Sequence, residues 1–316
     1  MSDKTNSIAG MSLGGGKKEN FFFCLLEFFE KDNRWFLTSL KQVKEESNLS
    51  KDQVITEWVE SSSLKKLIVD FPLSKPPCET CDLKCPGEPN CHHPVVVDVR
   101  NQIKQLLAED RKLEKENPKR YEQEREEDNK VHYQKSVLEK ETAHHILSKS
   151  FKRKLKKGFI PYWNRPVDYW VWKNYYDQLL KTFDLSYDSF GNVSVMLLYK
   201  FHYLLRHLPN DLGIYESSVF ITLLELYRSE VISKKQILEL QDINLNTLAR
   251  VQVAKAIEKK LGIFIYKNDL ELIAKNPKAF DSFILAVAGQ SLILGKNREI
   301  PKFGAKDMSN FVAPTF

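Results

Sequence analysis

Leu67-Ile68-Val69-Asp70-Phe71-Pro72-Leu73 is a continuous apolar run of strand length with one carboxylate inside it. A strand covered on both faces reads this way, whereas a half-solvated strand alternates. Upstream, Ser50 and Gln53 make a capping-box pattern, and Val54, Ile55, Trp58 and Val59 then recur at helical spacing up to Ser61. Further upstream, residues 20–30 and 34–43 read as two aromatic-rich strands joined by a Lys31-Asp32-Asn33 turn. Residues 7–13 form a short apolar strand that ends in Gly14-Gly15-Gly16.

Downstream the composition changes. Residues 76–94 are rich in Pro and Cys, and residues 98–157 are dominated by Glu, Lys and Arg, which predicts long solvated helices with little core. From Phe159 the chain turns aromatic, and residues 193–208 repeat apolar side chains at helical intervals. Residues 211–216 form a strand ending in an acid. Ser217 or Ser218 caps a helix through Tyr227, residues 247–261 are helical, and Asn276-Pro277 opens a last helix to Leu294. Strands, a helix, a covered strand, a helical insertion, another strand and closing helices predict an α/β fold with a mixed sheet.

At 316 residues with 42% hydrophobic content, the chain has enough apolar material for one elaborated domain or two ordinary ones, so wholesale disorder is excluded. Apolar runs such as 21–29 and 67–73 fall far short of the roughly 20 residues that a bilayer crossing needs, and no membrane partner is expected. With no apolar stretch before Phe21, a cytoplasmic location is expected. There thiols stay reduced, and four of the five cysteines crowd into residues 78–91 as candidate ligands, while Cys24 reads as buried in a strand.

Asp70 shares its strand face with Ile68, Glu216 lies on the face of Ile214, and Asp281 precedes Leu285 and Ala288 on an apolar helix stripe, so all three carboxylates point inward. Inward acids must be protonated, paired with a base or bound to a cation. Acids converging from strand ends and a helix suit Mg²⁺ or Mn²⁺ and phosphodiester chemistry, in which the ions stabilise attacking and leaving oxygens. The plainer alternative is that each acid satisfies local backbone donors at a strand or helix end.

Ala9-Gly10-Met11-Ser12-Leu13-Gly14-Gly15-Gly16, the hairpin after it, Ile68-Val69-Asp70-Phe71-Pro72-Leu73, Tyr162-Trp163-Asn164-Arg165-Pro166-Val167-Asp168, Ile214-Tyr215-Glu216-Ser217 and Phe280-Asp281-Ser282-Phe283-Ile284-Leu285-Ala286 occur in that order. Together they resemble successive motifs of a predicted-nuclease family, domain-of-unknown-function family 429, similar in fold to ribonuclease H. The resemblance implies a ribonuclease-H-like mixed five-stranded sheet flanked by helices. It also implies acids at the ends of the first, fourth and fifth strands and on the last helix. The fourth-strand acid falls on Asp70, the fifth-strand acid on Glu216 and the helix acid on Asp281, while Arg165 and Asp168 match an Arg-x-x-acid pattern in which Arg165 would pair with Asp168, with one of the inward acids or with a bound anionic substrate. The first-strand acid is replaced by Ser12, a weak neutral ligand at best. Gly14–Gly16 with Lys17 and Lys18 could cradle a phosphate through backbone N–H groups, or simply form a flexible hairpin entry.

Cys78-x2-Cys81-x3-Cys85-x5-Cys91, followed by His92 and His93, supplies six ligands within sixteen positions, enough for one structural, tetrahedral Zn²⁺ with either His substituting for a Cys. Lys149, Lys152, Arg153, Lys154, Lys156 and Lys157 stand beside Phe151, Phe159, Tyr162 and Trp163, the raw material of a nucleic-acid surface. His144 and His145 read as surface helix residues. The expected organisation is 7–73 as the first part of the core, 74–157 as a zinc-knuckle-like and charged helical insert, and 158–300 as the second part of the core, with 1–6 and 301–316 as tails. Two functions are compatible with it. One is metal-dependent hydrolysis of nucleic acid at Asp70, Glu216 and Asp281, with Ser12 positioning water. The other is a non-catalytic module that binds nucleic acid or a protein partner.

Overall fold

The computed structural model describes residues 6–13, 21–46, 48–119, 121–122, 147–185, 195–304 and 310–316. Asn6–Ser12 (β1), Phe22–Phe29 (β2) and Arg34–Gln42 (β3) form an antiparallel meander, with a register irregularity at Leu25/Leu26. Lys51–Ser61 (α1) starts at Ser50, whose hydroxyl accepts from the Gln53 N–H while the Gln53 side chain accepts from the Ser50 N–H, and it leads into Lys66–Val69 (β4). Then come Pro94–Glu116 (α2), Lys149–Lys157 (α3), Pro166–Phe183 (α4), Val195–Leu205 (α5) and Gly213–Ser217 (β5). The chain continues through Val219–Arg228 (α6), Lys234–Glu239 (α7), Asn246–Leu261 (α8), Ile263–Phe264 (β6), Lys267–Lys275 (α9), Pro277–Ile293 (α10) and Phe311–Val312 (β7).

The sheet has seven strands among the described residues, not the expected five, in the order β6-β3-β2-β1-β4-β5-β7. The two additions, β6 and β7, are two residues long and parallel to their neighbours at opposite edges. A two-residue strand has no measurable alternation, so periodicity cannot reveal it. β1 lies at the centre, antiparallel to β2 and parallel to β4, and β4 is parallel to β5. β4 thus has a strand on each side, and Leu67, Ile68 and Val69 are buried.

The chain divides into two compact units. The first comprises the described residues within 1–73, 192–298 and 310–316, and both faces of its sheet are covered. Ala9, Met11, Leu67, Val69 and Ile214 pack with Ile55 and Val59 of α1 and with Phe201 and Leu204 of α5 on one face. α10 crosses the other, against β1, β2 and β4, and is itself flanked by α6 and α9, so every residue from Ser282 to Ser291 is buried.

The second unit comprises the described residues within 74–191 and 299–309. It therefore takes in α4, whereas the sequence predicts that segment as part of the sheet domain. The cause is aromatic packing: Phe151 of α3 stacks on Tyr176 of α4 at 4.9 Å between centroids, and the Ser148 hydroxyl that caps α3 donates to Asp177 of α4 at 2.6 Å. The insertion is also less solvated than expected. α2 buries Val95, Val96, Val99 and Ile103. Its buried Asp110 accepts from the Tyr121 hydroxyl and the Leu147 N–H and pairs with Lys152 at 2.6 Å. No helix among the described residues is long and apolar enough to cross a membrane.

Candidate functional site

Strand register brings Ser12 and Asp70 to the same end of the sheet. Gly10 pairs with Ile68 and Met11 with Val69, so Ser12 and Asp70 are the next equivalent positions. The Ser12 hydroxyl donates to Asp70 Oδ2 at 2.7 Å and the Leu13 N–H to Asp70 Oδ1 at 3.0 Å. From α10, whose N-terminus is capped by the Asn276 side chain, Lys278 and Asp281 project into the same corner one turn apart. Lys278 Nζ donates to Asp281 Oδ2 at 3.0 Å and to Ser12 Oγ at 3.2 Å, and lies 3.9 Å from Asp70 Oδ2. An ammonium thus sits between two carboxylates.

Burial pushes the Asp70 carboxyl above its ordinary value, opposed by Lys278, the Ser12 hydroxyl and the Leu13 N–H. Asp281 is raised in the same way, with Lys278 again opposing and Asp70 adding to the rise. For Lys278, burial works downward, but Asp281 and Asp70 outweigh it and the ammonium is held more tightly than usual. Lys278 therefore supports the charge of both carboxylates, while Asp70 opposes that of Asp281.

Glu216 does not join them. It pairs in register with Val69, and the side chains of Val69 and Ile214 belong to the face covered by α1 and α5, the reverse of the face that carries Asp70. Its carboxylate accepts from the Leu73 N–H at 2.9 Å, beyond the end of β4. All three acids are inward, as the sequence indicates, but the sheet has two insides. Ser12 is fully buried and its oxygen is engaged by Asp70 and Lys278, so it is not presented to position water.

A divalent ion fits this corner poorly. The Lys278 ammonium already neutralises the space between Asp70 and Asp281, Ser12 brings no charge, and the third carboxylate faces elsewhere. Among the described residues, no three or more His, Cys, Asp or Glu side chains form a group that could hold a metal ion as they stand. Lys278 is the participant that the sequence reading missed. Its place three residues before Asp281, on the same helix face, was the available signal.

The remaining candidates lie in the second unit or outside the described residues. Arg165 is buried, and its backbone N–H and guanidinium both bond Asp168, at 2.7 and 2.8 Å, closing the first turn of α4. Arg165 is thus engaged in a helix-capping pair with Asp168. Lys154 Nζ lies 4.5 Å from the Trp172 ring centroid, where its charge is held over an aromatic face. Lys149, Arg153, Lys156 and Lys157 are exposed on α3, and the turn that follows carries Tyr162 and Trp163, 64% and 54% exposed. Cys78, Cys81, Cys85, Cys91, His92 and His93 line one cavity of about 100 Å³. Cys24 is buried, as expected, and burial raises its thiol. Gly14, Gly15, Gly16, Lys17, Lys18, His144 and His145 lie outside the described residues. Comparison with protein-family models, curated proteins and solved structures finds nothing that matches this chain.

Proposed function

We propose that this chain is a nucleic-acid-binding module on a ribonuclease-H-like core, one in which an internal salt-bridge network stands where a divalent-metal hydrolase would hold its ions. The observation that carries the binding reading is the exposed Tyr162 and Trp163 pair, five and six positions after Lys157 at the end of a helix with four solvent-facing basic residues. Large rings left in water beside a cationic helix suit stacked bases and a phosphate backbone, and this arrangement needs no base-specific contacts. The central strands, three antiparallel and two more in parallel, support the ribonuclease-H-like reading, as does the meeting of β1, β4 and α10 at Ser12, Asp70 and Asp281. The Lys278 ammonium and Ser12 support a core without Mg²⁺- or Mn²⁺-dependent hydrolysis.

Fluorescence anisotropy with labelled single-stranded RNA, single-stranded DNA and an RNA–DNA hybrid tests the proposal, followed by gel analysis of the same oligonucleotides with Mg²⁺ or Mn²⁺. Trp163→Ala is expected to weaken binding roughly tenfold, the loss of one stacked base, while Asp70→Asn leaves binding unchanged and the oligonucleotides stay intact. Cleavage by the wild-type chain that Asp70→Asn abolishes would restore the hydrolase reading. Cleavage only after Ser12→Asp would mark a degenerate enzyme.

A further inference from the structure

The loop between β4 and α2 holds chemistry that the nucleic-acid reading does not use. Between residues 74 and 93 it contains only two short 3₁₀ turns, Pro77–Thr80 and Glu88–Asn90, and its prolines keep it from pairing as strand or helix. Such a segment needs another source of order, because its apolar content is small: Pro77 is its one buried hydrophobic position within those turns. Yet the chain folds back on itself so that four thiols and two imidazoles face one cavity. His93, one of the lining residues, has its Nδ1 atom buried without a hydrogen-bond partner.

We infer that this cavity is a structural zinc site, with Cys78, Cys81, Cys85 and Cys91 as the four thiolate ligands. The ligand group is not preassembled. Rotation of a cysteine about χ1 moves its sulfur by up to about 3 Å, on the scale needed to bring thiols lining a small cavity onto one ion. The chemistry selects Zn²⁺ over Mg²⁺ or Mn²⁺, because the donors are soft thiolate sulfurs, and four protein ligands leave no open position for catalysis. Each thiol gives up its proton to solvent as it binds, so loading is favoured as pH rises.

The loop is tied to the proposed binding surface inside the same unit. The Cys78 N–H donates to the Pro161 carbonyl at 3.0 Å, one residue before Tyr162. Arg100 of α2 pairs with the Glu88 carboxylate and donates to the Glu88 and Phe159 carbonyls. Zinc would therefore hold the turn that presents Tyr162 and Trp163. This last step rests on the nucleic-acid reading, whereas the metal site does not.

Elemental analysis of the full chain, purified without chelator from zinc-supplemented medium, tests the site directly. About one zinc per chain is expected, falling below about 0.2 in Cys81→Ser and in Cys85→Ser but retained in Cys24→Ser. Less than about 0.2 zinc in the wild type, or full loading in both loop variants, would overturn the inference. Because a loop variant could misfold, chelator treatment of the wild type provides a second measurement. Stripping zinc should speed amide hydrogen exchange across residues 78–93 and at Trp163, with re-addition restoring protection; unchanged exchange would show that the ion orders nothing there. None of these readouts uses nucleic acid, so a zinc-loaded chain that fails to bind oligonucleotides defeats the function and spares the site.

Discussion

Two opposing effects meet at Asp70: removal from water favours its neutral form, and Lys278, Ser12 and the Leu13 N–H favour its charge. Burial is the larger, so the folded-state carboxyl titrates above its ordinary value of 3.8. A raised acid binds more protons folded than unfolded, so its contribution to stability is present below the unfolded pKa and is lost as pH rises through the folded one. Asp281 has the same sign. Asp70→Asn keeps an acceptor for Ser12 but cannot ionise. Urea denaturation from pH 3.5 to 7 should therefore show a smaller fall of stability with rising pH in the variant than in the wild type. A steeper fall in the variant would mean that the ion pair, not burial, dominates at this residue. The sequence showed that Asp70 and Asp281 point inward. It could not show that Lys278 lies between them, because a contact over 208 positions along the chain depends on how α10 crosses β1 and β4.

At the scale of elements, the contact that places the corner is α10 on β1. Gly10 sits where a side chain has no room: a Cβ there would fall 2.2 Å from the Ser282 carbonyl oxygen and 2.3 Å from the Ala286 nitrogen, both helix backbone. On the helix side, a Cβ at Gly289 would meet side-chain atoms, Ile8 Cδ1 at 2.3 Å, Ile8 Cγ1 at 2.6 Å and Ile68 Cγ1 at 2.8 Å. Gly10→Ala should therefore lift the helix off the strand and cost roughly 3 kcal/mol in denaturant unfolding. Gly289→Ala should also destabilise but cost less, since the side chains of Ile8 and Ile68, and not backbone, must shift. Equal effects would show that the helix backbone is not the limiting contact. The capping signals at Ser50 and Asn276 were legible because they depend on residues within one turn. The edge strands β6 and β7 were not, since two residues carry no period and their pairing is decided by what lies beside them.

For the molecule as a whole, 48 basic against 42 acidic residues give a net charge of +6, and the second unit concentrates exposed lysines and arginine on α3. If that helix tracks a phosphate backbone, binding must weaken as salt rises, because neutralised phosphates release counterions. Replacing Lys156 and Lys157 together by Ala should reduce the slope of log affinity against log salt by roughly 1.4 for a single strand, while Lys31→Ala, on the hairpin of the other unit, leaves it unchanged. An unaltered slope in the double variant would move the interface off α3. The sequence by itself determined the α/β class, the strand and helix order through most of the sheet domain, the helix caps, the buried character of the 67–73 run and the crowding of thiols after it. These follow from composition and short periods, which local sterics and side-chain burial impose directly. Only the tertiary structure decided that α4 packs with the insertion, that Glu216 and Asp70 occupy opposite faces of one sheet, and that Lys278 stands between Asp70 and Asp281. Those outcomes depend on register and packing between segments far apart in the chain, where each residue's partner is chosen by the fold and not by its neighbours in sequence.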